Sequence, residues 1–278
     1  MRFSVIVVSY NSGERLKNTL KCIFDQDFDD YEIVVKDGLS TDGSAEGIEK
    51  IAEECGKADK LKVYRTADKG IYDAMNEAVS YASGDYFVFM NCGDEFYDRT
   101  VLGKVSEAID SYKAPLKKDG SRKAVIYGNR YLIPTKSTEY FAPQIAPLVC
   151  YRNIPCHQCC FYSASCFDGL KYRTNLKVRA DYEHFLRLYF EEKAEFYHID
   201  ECVARYEGGG YSENPESVKR SAAEHRAITK KYMSKWQLFY CRAYMIITLQ
   251  PLRRAIASNK KLAGAYNGLV KKIYRKKN

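Results

Sequence analysis

The sequence predicts an α/β protein with a mostly parallel sheet, and three observations carry that reading. Continuous β-branched and aromatic runs recur along the first half, amphipathic helical stretches separate them, and one strand-plus-helix unit follows another at roughly 30-residue intervals. Such units build a Rossmann-like sheet with right-handed crossovers and helices on its faces. A length of 278 residues suits one large unit, or one domain with an appendage.

The elements follow in order. Phe3-Ser-Val-Ile-Val-Val-Ser9 lacks polar alternation, so it reads as a strand buried on both faces. After Asn11-Ser12-Gly13, Leu16, Leu20, Ile23 and Phe24 recur at helical spacing, with Ser12 as the expected N-cap. Tyr31-Glu-Ile-Val-Val35 is the second strand and ends at Asp37-Gly38. Thr41-Asp42-Gly43-Ser44 is expected to open a second helix reaching Cys55. Leu61 to Tyr64 is the third strand, Ile71 to Tyr81 a helix, and Asp85 to Met90 a fourth buried strand.

Parallel sheets bind ligands beyond the carboxyl ends of their strands. Here those ends carry Ser9-Tyr10-Asn11, Asp37, Thr66-Ala67-Asp68 and Asn91-Cys92-Gly93-Asp94. The second half differs. Val125 to Phe141 suggests short antiparallel strands, and the stretch after it is punctuated by Pro143, Pro147 and Pro155. Ala180 to Phe190 is helical, Glu195 to Ile199 and Cys202 to Tyr206 read as two strands, and Gly208-Gly209-Gly210 marks a loop. Helices are expected over Pro215 to Met233 and beyond. This half is a mixed lobe on the edge of the first.

Composition narrows the class. With 46% hydrophobic and 29% charged residues and seven prolines, wholesale disorder is excluded. No stretch approaches the ~20 apolar residues of a membrane span. Met1-Arg2-Phe3 leads at once into a strand, so a secretory leader is not expected. Ten scattered cysteines point to reduced thiols in a cytosolic protein. The net charge of +8 is uneven: Asn259 to Asn278 holds seven Lys and Arg and no acid. Upstream, the apolar segment Trp236 to Leu249 is too short to span a bilayer. It either packs on the core, with a solvated basic tail, or lies in a membrane interface. Nucleic acid is not the expected partner, because no recognition motif accompanies the charge.

Asp37 follows a buried strand in the turn Asp-Gly-Leu-Ser-Thr-Asp-Gly-Ser. An acceptor-only carboxylate there can read an N–H of a nucleobase, and a helix N-terminus favours phosphate. Taken alone, the motif reads first as Asp37 and Asp42 capping the turn and the helix. The dinucleotide fingerprint is absent after the first strand.

Taken in series, the motifs resemble glycosyltransferase family 2. They are Val7-Val-Ser-Tyr-Asn11, Val35-Lys-Asp-Gly-Leu-Ser-Thr-Asp-Gly43, Asp68-Lys-Gly-Ile-Tyr-Asp-Ala-Met-Asn76, Ser83-Gly-Asp85 and Phe89-Met-Asn-Cys-Gly-Asp94. Pro155-Cys-His-Gln158, Ala180-Asp-Tyr-Glu183 and Gly209-Gly-Tyr-Ser212 continue the order. The resemblance implies a GT-A fold, a nucleotide-diphospho-sugar donor, UDP-linked by expectation, and inversion at the anomeric carbon. It implies a glycosyltransferase domain over 1–215, donor-binding through 97 and acceptor-side from 98, with a basic helical extension over 216–278.

The resemblance also implies roles. Ser9, Tyr10 and Asn11 cradle the nucleoside, with the Tyr10 ring stacking on the base; Asp37 contacts uracil; Asp68 and the Gly70 to Asn76 segment line the donor. Read without it, Tyr72 and Met75 are helix-face core residues. The usual Asp-x-Asp is replaced by Asn91-Cys92-Gly93-Asp94, so Asp94 is the expected ligand of Mn²⁺ or Mg²⁺, with Asn91 adding an amide oxygen. Asp181 takes the position of the catalytic base, with Glu183 in reserve, and Arg187 matches the family's arginine. If no metal binds, Lys69 or Arg187 would have to meet the diphosphate. His157 contacts donor or acceptor, or is a structural histidine; both remain open. Zinc is excluded, because the cysteines around His157 lack ligand spacing. The implied acceptor is a saccharide or lipid-linked saccharide of a surface polysaccharide, worked on at the cytoplasmic face of a membrane. The rival is an inactive nucleotide-sugar-binding regulator of the same fold.

Overall fold

A computed structural model of the protein describes residues 1–152, 154–208 and 214–248. Four parallel strands, β1 (Phe3–Ser9), β2 (Tyr31–Asp37), β3 (Leu61–Arg65) and β4 (Tyr86–Phe89), form one half of a nine-stranded sheet in the order β3-β2-β1-β4. Helices α1 (Glu14–Phe24), α2 (Ile48–Glu54) and α3 (Ile71–Tyr81) make the crossovers. All seven residues of β1 and of β2 are buried, as their unbroken apolar runs require of a sheet covered on both faces. In α1, Leu16, Leu20, Ile23 and Phe24 go into the core, each worth about 1.5–3 kcal/mol of transfer free energy.

Two local expectations are corrected. Ser12 does not cap α1: Gly13 stands at the cap, and the Ser12 hydroxyl pairs with that of Ser9 at 2.7 Å. The second helix starts at Ile48, after Gly47, rather than near Thr41. Asp42 explains the delay, because its carboxylate accepts the backbone N–H groups of Ser44 and Gly13 and fixes a turn. A phosphate-binding helix N-terminus beside Asp37 is therefore absent.

After β4 come β5 (Glu95–Phe96), α4 (Val101–Tyr112), β6 (Ala124–Leu132), β7 (Ser137–Glu139), α5 (Pro147–Arg152) and β8 (Cys160–Ser163). Helix α6 (Ala180–Phe190), strand β9 (Glu195–Tyr206), and helices α7 (Pro215–Tyr232) and α8 (Lys235–Ile247) complete the order. The sheet continues from β4 through β8, β6, β9 and β5, with β7 on β6. Strand β8 is antiparallel to both β4 and β6, so the mixed lobe shares one sheet with the parallel half. The two strands expected over 195–206 are one, and its register on β6 jumps from Tyr127↔His198 to Asn129↔Cys202. The bulge exposes Asp200 and Glu201, which is why the sequence reads as a break. Among the described residues no helix is long and apolar enough to cross a membrane.

Candidate active site

The carboxyl ends of β1 and β4 open on a cavity of about 850 Å³, closed on the far side by the His157–Cys159 turn, the loop before α6, and α6 itself. Ser9, Tyr10, Asp68, Gly70, Asn91 and Asp94 line it from the parallel half. His157 and Asp181 line it from the other. Asn11 and Asp37 stand behind the wall. Asn11 joins the β1 and β2 ends: its backbone N–H donates to Ser40 Oγ and its Oδ1 accepts from Thr41 N, both at 2.9 Å. Asp37 is buried, and Ser40 donates to it through backbone N–H at 2.9 Å and hydroxyl at 2.6 Å.

Two glycines are demanded by this geometry. Gly38 sits between Tyr10 and Asp68, where a Cβ would lie 2.7 Å from Asp68 Oδ2 and 3.2 Å from the Tyr10 ring. Gly70 takes φ +124° at the entry to α3, with Asp68 Oδ1 accepting its N–H. Asp68 is also held by Lys36, fully buried, whose Nζ donates to Asp68 Oδ2 and to the Thr66 carbonyl, each at 2.8 Å. Tyr10 is 67% exposed, so its ring is open to a planar ligand.

A chain of polar contacts crosses the cavity floor. Asn91 Nδ2 lies 2.8 Å from His157 Nε2, and His157 Nδ1 lies 3.1 Å from Asp181 Oδ2. Asp181 Oδ1 accepts from Tyr72 OH at 3.0 Å and from Tyr182 N at 2.8 Å. Burial alone would raise the Asp181 carboxyl, but the hydrogen bond and charge of His157, with Tyr182 and Tyr72, leave it below the usual range. Burial likewise depresses His157, and Asp181 more than offsets that, so its proton is held more tightly than usual. Asp181 is not a helix cap, since Arg179 occupies that place.

Asp94 is buried, and Gln158 Nε2 donates to its Oδ2 at 2.7 Å. Burial pushes its carboxyl up, opposed in part by Gln158. The buried Oδ1 of Asn91 and Oε1 of Gln158 have no partner. One carboxylate and two amide oxygens in want of a partner are hard oxygen donors of the kind Mg²⁺ or Mn²⁺ takes. No group of three His, Cys, Asp or Glu gathers among the described residues, so such an ion would depend on further oxygens from the ligand.

Other sequence expectations separate here. Glu183 faces away from the cavity, toward α7, where Arg173, Lys231 and Tyr232 reach its Oε1. It cannot serve as a reserve base. Arg187 is buried and donates to the Lys171 carbonyl and His184 Nδ1, so it does not reach the cavity; Lys69 does line it. Met75 is core, whereas Tyr72 is buried yet places its hydroxyl on Asp181. The Gly209 to Ser212 motif lies outside the described residues. Sequence reasoning missed Gln158 and Lys36 as positioning groups, and Arg15, Arg130, Lys177 and Arg220, which also line the cavity. It missed Glu224 of α7 altogether. That carboxylate accepts the backbone N–H groups of Lys177, Val178 and Arg179 at 2.8, 3.1 and 2.9 Å, fixing the entry to α6 just before Asp181. No local signal marks it.

A ligand cavity beyond the carboxyl ends of a parallel sheet, with carboxylates converging from both halves, defines an α/β enzyme. The model of the family Glycosyl transferase family 2 matches residues 4–194, and the chain belongs to that family. It is 28% identical over 260 residues to a PGL/p-HBAD biosynthesis glycosyltransferase of Mycobacterium tuberculosis, covering 91% of this chain and 97% of the relative. It is 23% identical to the amylovoran biosynthesis glycosyltransferase AmsB of Erwinia amylovora, covering 84% and 76%. The fold is GT-A. It matches Staphylococcus aureus TarS 1-349 in complex with UDP-GlcNAc at TM-score 0.60 and 19% identity, over 84% of this chain and 71% of that one. It matches the Pyrobaculum calidifontis mannosyltransferase PcManGT, in complex with GDP-Man and Mn²⁺, at TM-score 0.65 and 16% identity, over 99% and 88%. This protein is a glycosyltransferase.

Proposed function

We propose that the protein is an inverting enzyme that moves a hexosyl or N-acetylhexosaminyl group from a UDP-linked sugar to a saccharide or lipid-linked saccharide of a surface polysaccharide. The reaction would take place at the cytoplasmic face of a membrane. The observation that carries the reading is the meeting of donor-side Asn91 and acceptor-side Asp181 across His157 in one cavity. Residues 1–97 form the donor half, 98–215 the acceptor half, and 216–278 the extension.

The acceptor hydroxyl attacks the anomeric carbon from the face opposite the diphosphate. Asp181 takes its proton as the new bond forms and the bond to the diphosphate oxygen breaks. An ionised carboxylate is at hand because His157 and Tyr72 hold it so, and His157 fixes the direction of the second oxygen. On the donor side Tyr10 stacks on the base and Ser9 and Asn11 shape the nucleoside pocket, while Asp37, expected to contact uracil, is buried behind the wall and holds the Ser40 turn to which Asn11 is joined. Asp68 and Gly70 border the sugar and diphosphate, and His157 closes the donor pocket against Asn91. Asp94, with the amide oxygen of Asn91, would hold Mg²⁺ or Mn²⁺. When bound, that ion supplies neutralisation of the charge on the leaving diphosphate.

A thermal-shift panel of nucleotide sugars, with and without Mn²⁺, tests the donor class, because a ligand that binds only the folded state raises its apparent stability. UDP-linked sugars should stabilise the protein, more so with Mn²⁺. Stabilisation by GDP-mannose alone would overturn the uridine assignment, and stabilisation by none would overturn the reading.

A further inference from the structure

Helix α8 packs on α5 and α7 with Cys241 buried, and turns a second face to solvent. That face carries Trp236, Phe239, Tyr240, Ile246 and Ile247, between 59% and 81% exposed. Their spacing of three, four, ten and eleven residues from Trp236 puts them in one stripe along the helix. A soluble protein rarely leaves so many large apolar side chains together in water. Lys235 and Arg242 are exposed on the same helix.

Charge says what covers the stripe. From Lys235 to Asn278 the sequence has eleven Lys and Arg and no Asp or Glu. The chain's 44 basic residues therefore divide into 33 before Lys235, set against all 36 acidic ones, and 11 from there on. The body is slightly acidic, and the whole positive excess follows the apolar stripe. A second copy docked on this face would bring two such segments together and repel. The basic segment folded back over the stripe would likewise crowd Lys235 and Arg242. An anionic lipid surface satisfies both the apolar and the cationic part.

We propose that the outer face of α8 lies in the interface of an anionic bilayer. Trp236, Phe239, Tyr240, Ile246 and Ile247 enter the headgroup–acyl boundary, Lys235 and Arg242 meet the anionic headgroups, and the positive charge of the sequence that follows adds to the attraction. Two weak signals, an apolar stripe and a polybasic stretch, combine where either alone binds marginally. The inference rests on and deepens the membrane-face reaction proposed above, and its test reads binding without turnover, so either can fail without the other.

Trp236 is the chain's only tryptophan, so its emission reports on this face directly. The full chain is mixed with vesicles of phosphatidylcholine alone, or of phosphatidylcholine with phosphatidylglycerol. Expected with the anionic vesicles only are co-sedimentation, a blue-shifted emission, and quenching by bromine-labelled acyl chains. Raising the salt severalfold should weaken binding about tenfold or more. Phe239→Gln with Ile246→Gln should weaken it about tenfold at an unchanged melting temperature, since both side chains are already exposed. Sedimentation with unshifted emission would overturn the proposal, because the polybasic stretch alone would then be the anchor. So would equal binding to neutral vesicles. An emission already blue-shifted without lipid would overturn it too, assigning the stripe to a second copy if the shift grows with protein concentration and to the chain's own C-terminal segment if it does not.

Discussion

Asp181→Asn isolates the proton transfer from everything else the side chain does. The amide oxygen can still accept from Tyr182 N and Tyr72 OH, now at 2.8 and 3.0 Å. The amide nitrogen replaces Oδ2, 3.1 Å from His157 Nδ1, and must donate there. His157 then carries its proton on Nε2, which faces Asn91 Nδ2 at 2.8 Å. Rotation of the Asn91 amide resolves that clash, because its Oδ1 is buried and lacks a partner. Every hydrogen bond survives with a new polarity, so the loss of stability should stay within about 1 kcal/mol. The ability to take the acceptor's proton is gone, and the Asn91 oxygen now faces His157 instead of the Asp94 cation site. A positioned general base contributes about 10²- to 10⁴-fold, or roughly 3–5.5 kcal/mol of barrier. Initial rates at saturating donor and acceptor should fall by at least that factor, while calorimetry without divalent metal, where the rotated Asn91 oxygen has no cation to hold, shows donor affinity within about twofold of wild type. A folded variant that loses less than about tenfold in kcat would refute Asp181 as the base. Glu183 could not replace it, because it does not line the cavity and its Oε1 is held by Arg173, Lys231 and Tyr232 on the far side of α6.

Three further outcomes are expected. Glu224→Gln keeps one acceptor oxygen where two served three N–H groups, so the entry to α6 should loosen. We expect kcat to drop about 10- to 100-fold with donor affinity unchanged, and amide exchange at 177–181 to rise; equal loss in donor binding would mark a general folding defect. His184, fully buried against Phe167, is held down to about 3 by burial and by Arg187, against an ordinary 6.5. The unfolded chain therefore gains a proton first as pH falls below 6.5, and stability declines from there toward pH 3. This amounts to about 2 kcal/mol at pH 5 relative to pH 7, and denaturant melts should show His184→Phe without that slope. Lastly, EDTA should abolish transfer and Mn²⁺ or Mg²⁺ restore it, with Asp94→Ala beyond rescue; full turnover in EDTA would leave the diphosphate to Lys69 and its cationic neighbours.

The parallel half was legible because burial on both faces leaves unbroken apolar runs. The first three strands and α3 emerge within a residue or two of where those runs place them. The second helix was misplaced for a local reason of another kind. Asp42 and Ser44 have hydrogen bonds to offer the backbone, and they used them for a turn. Strand β9 was split because its bulge puts charged residues where a regular strand would have paired ones. The short elements β5, α5 and β8 left no pattern long enough to read.

The sequence by itself determined the family, the order of the motifs, and which residue types stand at the strand ends. Those are properties of short stretches, in which the chain's own periodicity and turn chemistry decide. Which of these residues meet was decided only by tertiary structure. Asn91 and His157 are 66 positions apart, Asp94 and Gln158 64, and Tyr72 and Asp181 109. Their contacts depend on β8 inserting antiparallel between β4 and β6, which swings the His157 turn over the end of β4. The Glu224 clamp depends on α7 folding back on α6. A carboxylate's role as ligand, base or backbone clamp is set by what packs around it, and packing between distant segments leaves no mark in either one alone.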